Sequence, residues 1–399
     1  MKNFIINNAR IVTPTEVIDG GGIAVKNGII AQVSGSPIHD DLPGFENLDA
    51  KGLILMPGII DIHTDAMDYE INPRTSADFP IDVAFSELEK KLCGAGITTV
   101  YHSIHLGYRD AEFNLCSKYS RLQVFENVYA EARKHTMINN KIHLRYEISG
   151  KEDYDLCFEL IEKGYISLFS FMDHTPGQGQ YPLDKYLLAA RRRGVSEQEA
   201  MQELEMKRAR PSISKEQIKA LACFLKDRNI PIASHDDDSV EKVNENHEMG
   251  ISICEFPINM ETARRATELN MSVTGGASNV LRGGSTGGNL HARDAIAEGV
   301  MDTICSDYYP PAILHSIFML GEHHVLPLNQ AINLATLNAA RAVNMHQSTG
   351  SIEAGKDADM ILIDYSNNFP TVIKTIVSGN ISSKFSLKTN RVPEFSNML

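Results

Sequence analysis

The sequence of 399 residues has no tryptophan, and its six cysteines form no C-x-x-C pair. They stand scattered at positions 93, 116, 157, 223, 254 and 305. Such scatter argues against a disulfide framework and fits reduced, mostly buried thiols in a cytoplasmic protein. Long apolar runs are also missing, and no uninterrupted run reaches membrane-spanning length. The opening MKNFIINNARIV carries too short an apolar run for a signal peptide and alternates as a strand does. Positive charge is in short supply: 38 Lys and Arg stand against 51 Asp and Glu, a net charge of −13. That balance argues against general affinity for nucleic acid or acidic membranes. It leaves room for an anionic small substrate, because a metal ion and a few arginines invert the potential locally.

What is present is a globular composition. Hydrophobic residues make up 43% of the chain, enough for a sizeable core. The N-terminal stretch is rich in β-branched residues, and Asn27-Gly28 between alternating runs signals a hairpin. STGSIEAGKDADMILID and VIKTIVSGN near the C-terminus have the same texture. Both ends therefore predict one small composite β domain, residues 1–57 plus 347–399, around an inserted domain over 58–346.

The middle alternates strands with helical patterns. The predicted strands are IIDIHTD, TTVYHSI, IHLRYEIS, YISLFSFMDH, PIASHDD, GISICEFPI, MSVTGGAS and MDTICSDYY. Eight such strands point to a closed parallel (β/α)₈ barrel of the TIM type, within the α/β class. A doubly wound open sheet is the alternative, weakened by the absence of G-x-G-x-x-G after a strand.

Catalytic groups of such barrels collect where the strands end. His63 and Asp65 end the first strand, Glu147 the third, His174 the fourth, His235 the fifth and Asp307 the eighth. On strict alternation Asp61, His63 and Asp65 share a face. Polar groups facing a packed interior carry a burial penalty unless something satisfies them. One or two divalent ions would do so; zinc suits these ligands best, with manganese or iron(II) as alternatives. Glu147 is placed to bridge two ions. A solvated strand end is the reading against which this stands, and recurrence at one topological position favours the metal. His102 and His105, at the end of the second strand, either back the ligands or serve packing.

The run TGGASNVLRGGSTGGN follows the seventh strand, where barrels often bind phosphate. Glycine-rich backbone forms anion nests, and Arg282 adds a bidentate donor. Ser278, Asn279, Arg282, Gly283 and Gly284 are therefore candidate substrate contacts, with Ser285 and Thr286 as further donors; the alternative is a flexible linker. Arg74 and Arg145 also fall near the site. HTPGQGQY, with Gln178 and Gln180 as further candidates, opens a long insertion before the fifth strand, which suggests a lid. The run Arg191-Arg192-Arg193 reads as a solvated helix face.

PGIIDIHTD, GITTV and GSIEAGKDAD resemble the amidohydrolase superfamily. DIHTD, NPR, MDHTPGQGQY, SHDDD, NVLRGGS and SDYYP resemble one branch of it nearly end to end. That branch is the α-D-ribose 1-methylphosphonate 5-triphosphate diphosphatases of the carbon–phosphorus lyase pathway. The first strand carries His63-Thr-Asp65 where the superfamily has H-x-H, and no carboxylated lysine is evident on the fourth. Thr286 stands where the branch has a histidine, with His291 five residues on. The resemblance implies metal-dependent hydrolysis of a ribosyl phosphonate 5-triphosphate to the 5-phosphate and pyrophosphate. Asp307 would orient the attacking water and take its proton. No nucleic-acid or membrane partner is implied, and a homo-oligomer is compatible. A cyclic-amide hydrolase or sugar deacetylase, or a metal-free assembly subunit, remains the competing function.

Overall fold

The computed structural model describes residues 3–39, 44–74, 77–107, 119–134, 136–174, 183–192, 194–285 and 288–387. The N-terminal part supplies β1 (Asn3–Val12), β2 (Val17–Lys26), β3 (Ile29–Ser34), β4 (Phe45–Asp49) and β5 (Ile54–Pro57). The barrel strands follow as β6 (Ile59–Thr64), β7 (Ile97–Leu106), β8 (Asn139–Glu147), β9 (Ile166–Met172), β10 (Ile232–His235), β11 (Ile253–Glu255), β12 (Ser272–Gly276) and β13 (Thr303–Cys305). The C-terminal part adds β14 (Met360–Asp364), β15 (Thr371–Val377) and β16 (Asn380–Lys384).

Both ends of the chain meet in one mixed sheet, ordered β16-β15-β14-β5-β1-β2-β3 with β4 beside β1. Asn27 and Gly28 both adopt positive φ, 54° and 84°, and Lys26 pairs with Ile29. This is the mirror-image turn that matches strand twist. Alternation divides the sheet's side chains. Leu55, Met360 and Leu362 join Phe4, Ile11 and Ile23 in the sheet's own core. Ile54, Met56, Ile361 and Ile363 belong to the large core shared with the barrel helices. Gly96 stands at that junction with φ 85°, and a Cβ there would meet Ile361 Cδ1 at 2.8 Å.

Asp359 ties this sheet to the barrel. Its Oδ1 accepts from the Ser378 backbone at 2.7 Å, and its Oδ2 from Thr349 Oγ1 at 3.1 Å and Asn139 Nδ2 at 3.3 Å. Burial outweighs these hydrogen bonds and pushes its carboxyl up to about 6, from 3.8. A folded pKa above the unfolded one favours folding fully below about pH 4, and that contribution is lost as pH rises through 6. The full shift corresponds to about 3 kcal/mol. The Asp359→Asn variant is therefore expected to gain stability relative to wild type as pH rises from 4 to 7. Urea unfolding across that range checks it, and a constant difference between the two proteins would refute it.

The barrel strands run in the order β6 to β13, each parallel to the next. The first and last strands meet at their C-terminal ends, where Asp65 N–H donates to Asp307 O at 2.8 Å and Asp307 N–H to His63 O at 3.0 Å. The helices Ile81–Gly94, Arg121–Ala132, Tyr154–Glu162, Lys215–Lys226, Val240–Glu248, Met260–Glu268 and Ala292–Ala297 lie between strands, as their apolar periodicity predicts. Ser120 with Gln123, and Ser214 with Gln217, close capping boxes at two of them. β6 departs from strict alternation, because its register against β7 shifts between Ile59 and Ile60 and again between Asp61 and Thr64.

The barrel interior changes character along its axis. Tyr101, Leu168, Ala233 and Ile253 belong to an apolar cluster. Two residues on, on the same faces, stand Ser103, Ser170, His235 and Glu255, all buried. Between β9 and β10 the insertion forms two helices, Leu183–Arg192 and Glu197–Arg208, around Tyr186, Ala190, Ala200 and Leu204. Gln178 and Gln180, and the lid expected from that stretch, fall outside the described residues, as does Thr286. Among the described residues no helix is long and apolar enough to cross a membrane.

Candidate metal centre

The strand ends bend their side chains inward by a shared device. Asp236, Phe256 and Asp307 follow β10, β11 and β13 with φ of 57°, 53° and 61°. Such left-handed backbone costs about 1–3 kcal/mol at a non-glycine residue. It is held here by the neighbouring strands: Asp236 N–H donates to Glu255 O, Phe256 N–H to Thr274 O and Asp307 N–H to His63 O, at 2.8–3.0 Å.

Three sets of side chains then converge. His63, Asp65 and Asp307 form one; His174, His235 and Asp236 form another; His63, His235 and Glu255 form the third. Within each set the ligand atoms lie within 4.8 Å of one another. His63 Nε2, His235 Nδ1 and Asp236 Oδ2 are buried without a hydrogen-bond partner. Asp236 Oδ2 lies 3.1 Å from His235 Nδ1 and 3.6 Å from His174 Nε2. Buried polar atoms are nearly always satisfied. A divalent cation would satisfy these atoms, so the residues fit the ion.

Two glutamates stand behind the histidines. Glu147 Oε2 is 2.8 Å from His174 Nδ1, and its Oε1 accepts from the His174 backbone at 3.1 Å. Glu255 Oε1 is 3.2 Å from His63 Nδ1. Glu147 is thus engaged with His174, and it belongs to none of the three sets among the described residues. Arg145 enters the centre itself: Nη1 donates to Asp65 Oδ1 at 2.5 Å, and Nη2 lies 3.4 Å from His235 Nε2.

The charges follow from this packing. Burial and the nearby Asp65 push the Asp307 carboxyl up to about 6. Burial alone would lower His174, but Asp236 and Glu147 outweigh it and hold the ring up at about 9. Burial raises Asp236, yet His235 and His174 bring its carboxyl well below the usual range. Burial lowers His63, and Glu255 reverses the sign. The ionised carboxylates would attract a metal ion, which would displace the ring protons.

The other candidates are placed as follows. The glycine-rich run starts in β12 and continues as a short helix, Ala277–Arg282, closed by Gly283 at φ 77°. Ser278 is buried, and its Oγ has no hydrogen-bond partner. Asn279 pins the segment, donating to Leu290 O at 2.9 Å and accepting from Ala292 N at 3.2 Å. Gly284 lies beside His291, whose ring would stand 3.8 Å from an added Cβ. Arg282 is exposed and lies 3.3 Å from Tyr308 Oη, next to Asp307. Arg74 is exposed. His102 turns away from the centre to Asn140 Oδ1 at 2.9 Å.

The family model of the amidohydrolase family matches residues 54–382. The chain belongs to the amidohydrolase family. Members of this family are generally metal-dependent, which agrees with the clusters above. The amidohydrolase chain is 33% identical over 373 residues to the α-D-ribose 1-methylphosphonate 5-triphosphate diphosphatase of Escherichia coli. That match spans 92% of this chain and 96% of the relative. It is 22% identical to imidazolonepropionase of Streptococcus pyogenes, over 88% of this chain and 85% of that one. An adenosine deaminase structure from Xanthomonas campestris shares the fold, with a TM-score of 0.61 at 15% identity. It covers 97% of this chain and 95% of that one.

For this amidohydrolase, reading the sequence missed Glu255 and Asp236 as members of the centre. Glu255 ends a strand, which was the signal used for the others, but the apolar GISICEFPI hides it. Asp236 is one of three consecutive aspartates, and only its left-handed backbone turns it inward. Asp237, beside it, instead accepts from Ser234 and Asn246 at 2.5 and 2.9 Å.

Proposed function

We propose that this amidohydrolase cleaves α-D-ribose 1-methylphosphonate 5-triphosphate to the 5-phosphate and pyrophosphate. The observation that carries the reading is the 33% identity, over 92% of the chain, to the E. coli enzyme of that name. The site's chemistry supports it. His63, Asp65 and Asp307 on one side, and His174, His235 and Asp236 on the other, would hold one or two divalent ions, with zinc the best match. When bound, such an ion would supply Lewis acidity and lower the pKa of a water molecule towards neutrality.

The chain's own groups do the rest. Asp307, raised by burial towards neutrality, accepts the proton of the attacking water. Arg145 holds Asp65 and adds positive charge where phosphoryl oxygens gather. Glu147 keeps His174 oriented by taking Nδ1. Arg282 and Ser278 at the end of β12 receive an outer anionic part of the substrate. The test is phosphorus NMR of the products from the synthetic triphosphate. Pyrophosphate and the ribosyl 5-phosphate are expected; an unchanged triphosphate with metal-loaded protein would defeat the reading.

Arg282 gives a second check. A charge-assisted hydrogen bond contributes about 1.5 to 3 kcal/mol. Arg282→Ala should therefore lower kcat/KM about ten- to a hundredfold. Arg282→Lys should recover only part, since an ammonium lacks the planar fork. Arg191, exposed and paired with Glu197 on the insertion, is the control, and Arg191→Ala should change little. Equal kcat/KM for wild type and Arg282→Ala would remove this segment from the substrate site.

A further inference from the structure

A chain of buried polar groups runs beneath the candidate metal centre, and the proposed reaction does not use it. It begins at Glu255, whose Oε2 accepts from Ser170 Oγ at 2.7 Å. Ser170 Oγ in turn contacts His143 Nε2. His143 Nδ1 lies 3.2 Å from Ser103 Oγ, and Ser103 Oγ accepts from Thr64 N at 3.1 Å. All of these side chains are buried, on four different barrel strands and the first strand's end.

Proton counting gives the chain one direction. A carboxylate only accepts, so Glu255 needs a donor at each oxygen. Ser170 has one hydroxyl proton, and it goes to Glu255 Oε2. The His143 contact must then be a donation from Nε2–H to Ser170. Neutral His143 consequently carries no proton on Nδ1, which accepts from the Ser103 hydroxyl. Ile62 O, also 3.2 Å from Nδ1, receives no proton in this arrangement. At the other end, Glu255 Oε1 faces His63 Nδ1 and needs the proton of that nitrogen. On a metal-bound, neutral ring Nε2 is then the nitrogen left bare, and it is the atom without a hydrogen-bond partner, 4.0 Å from Asp65 Oδ1.

We infer that the Glu255–Ser170–His143–Ser103 chain locks His63 in the tautomer that presents bare Nε2 to the metal. Glu255 and Ser170 are positioning residues here, not ligands. Glu255 turns one oxygen to Ser170 and the other to His63, which places it behind the ring rather than on the ion. Four strands thereby fix one proton on one ring of a fifth. The inference rests on the metal-dependent reading above.

The test uses full-length protein labelled with ¹⁵N-histidine and loaded with zinc. Histidine ¹⁵N–¹H correlation spectra should show His63 with a proton on Nδ1 and zinc on Nε2. A proton on Nε2 in the zinc-loaded wild type would overturn the lock. Ser170→Ala should weaken zinc binding about ten- to a hundredfold by chelator competition, the range for lost outer partners of metal ligands. It should also broaden or split the His63 signals. Ser170→Thr, which keeps the hydroxyl, should restore the wild-type tautomer. Wild-type zinc affinity and an unchanged His63 spectrum in Ser170→Ala would overturn the role of Ser170. If Ser170→Ala fails to fold, the wild-type spectrum alone decides. Wild type that binds no zinc would defeat the metal reading itself. Zinc bound to a His63 of the other tautomer would defeat only the lock.

Discussion

An Asp307→Asn variant is expected to keep bound metal and to lose about 10²- to 10⁴-fold in kcat. Asp307 sits where three influences meet. Its backbone closes the barrel against His63 and Asp65. Its carboxyl belongs with those two in one ligand set. Without a metal, burial and Asp65 raise its pKa to about 6. The amide is nearly isosteric and still offers an oxygen, so His63 and Asp65 can retain an ion. What the amide lacks is the ability to take a proton. Metal content by elemental analysis, beside saturating kinetics, separates the two properties. A loss of less than about tenfold with metal retained would assign the base to another group.

Replacing His235 should act on the other property. His235 belongs to two of the three sets, and its Nδ1 is buried 3.1 Å from Asp236 Oδ2. His235→Ala removes that nitrogen and leaves Asp236 and Arg145 facing a void. Bound metal should fall sharply and turnover with it, while the barrel core below, built on Ala233 and Ile253, stays folded. Glu147→Gln offers the contrast. Glu147 acts through His174, and its replacement should cost about ten- to a hundredfold, the range for outer partners. Circular dichroism and metal analysis on both variants check the pair. Full occupancy and normal turnover in His235→Ala would exclude it from the centre; a larger loss in Glu147→Gln than in His235→Ala would make Glu147 a direct ligand.

Much of this was legible along the chain, because the relevant periods are local. Apolar strands alternating with 3.6-residue helices spelled out the barrel. Asn27-Gly28 marked its hairpin because few dipeptides tolerate positive φ at both positions. His63, His174, His235 and Asp307 stand out in the sequence because strand ends are local features with a known place in barrels, and the structure brings them into the candidate clusters. The glycine-rich run misled in part: Ala277–Arg282 folds as a helix, since the glycines flank the segment and only Gly283 is needed at its end. Topology places Glu147 to bridge two ions, and in the structure its carboxylate meets His174.

The sequence by itself therefore determined the kinds of element and their order, and marked most of the strand ends that carry candidate ligands. Each of these follows from neighbours within a few residues. Tertiary structure alone decided which polar groups share a space. Glu255 reaches His63 across 192 positions, and Ser170 reaches Glu255 across 85. Asp236 faces the centre and Asp237 does not, because one residue adopts left-handed backbone held by Glu255 O on the adjacent strand. Closing a barrel converts separations along the chain into distances of about 3 Å, a hydrogen-bond length. Only that closure sets which nitrogen of a histidine carries its proton and which is free for a metal.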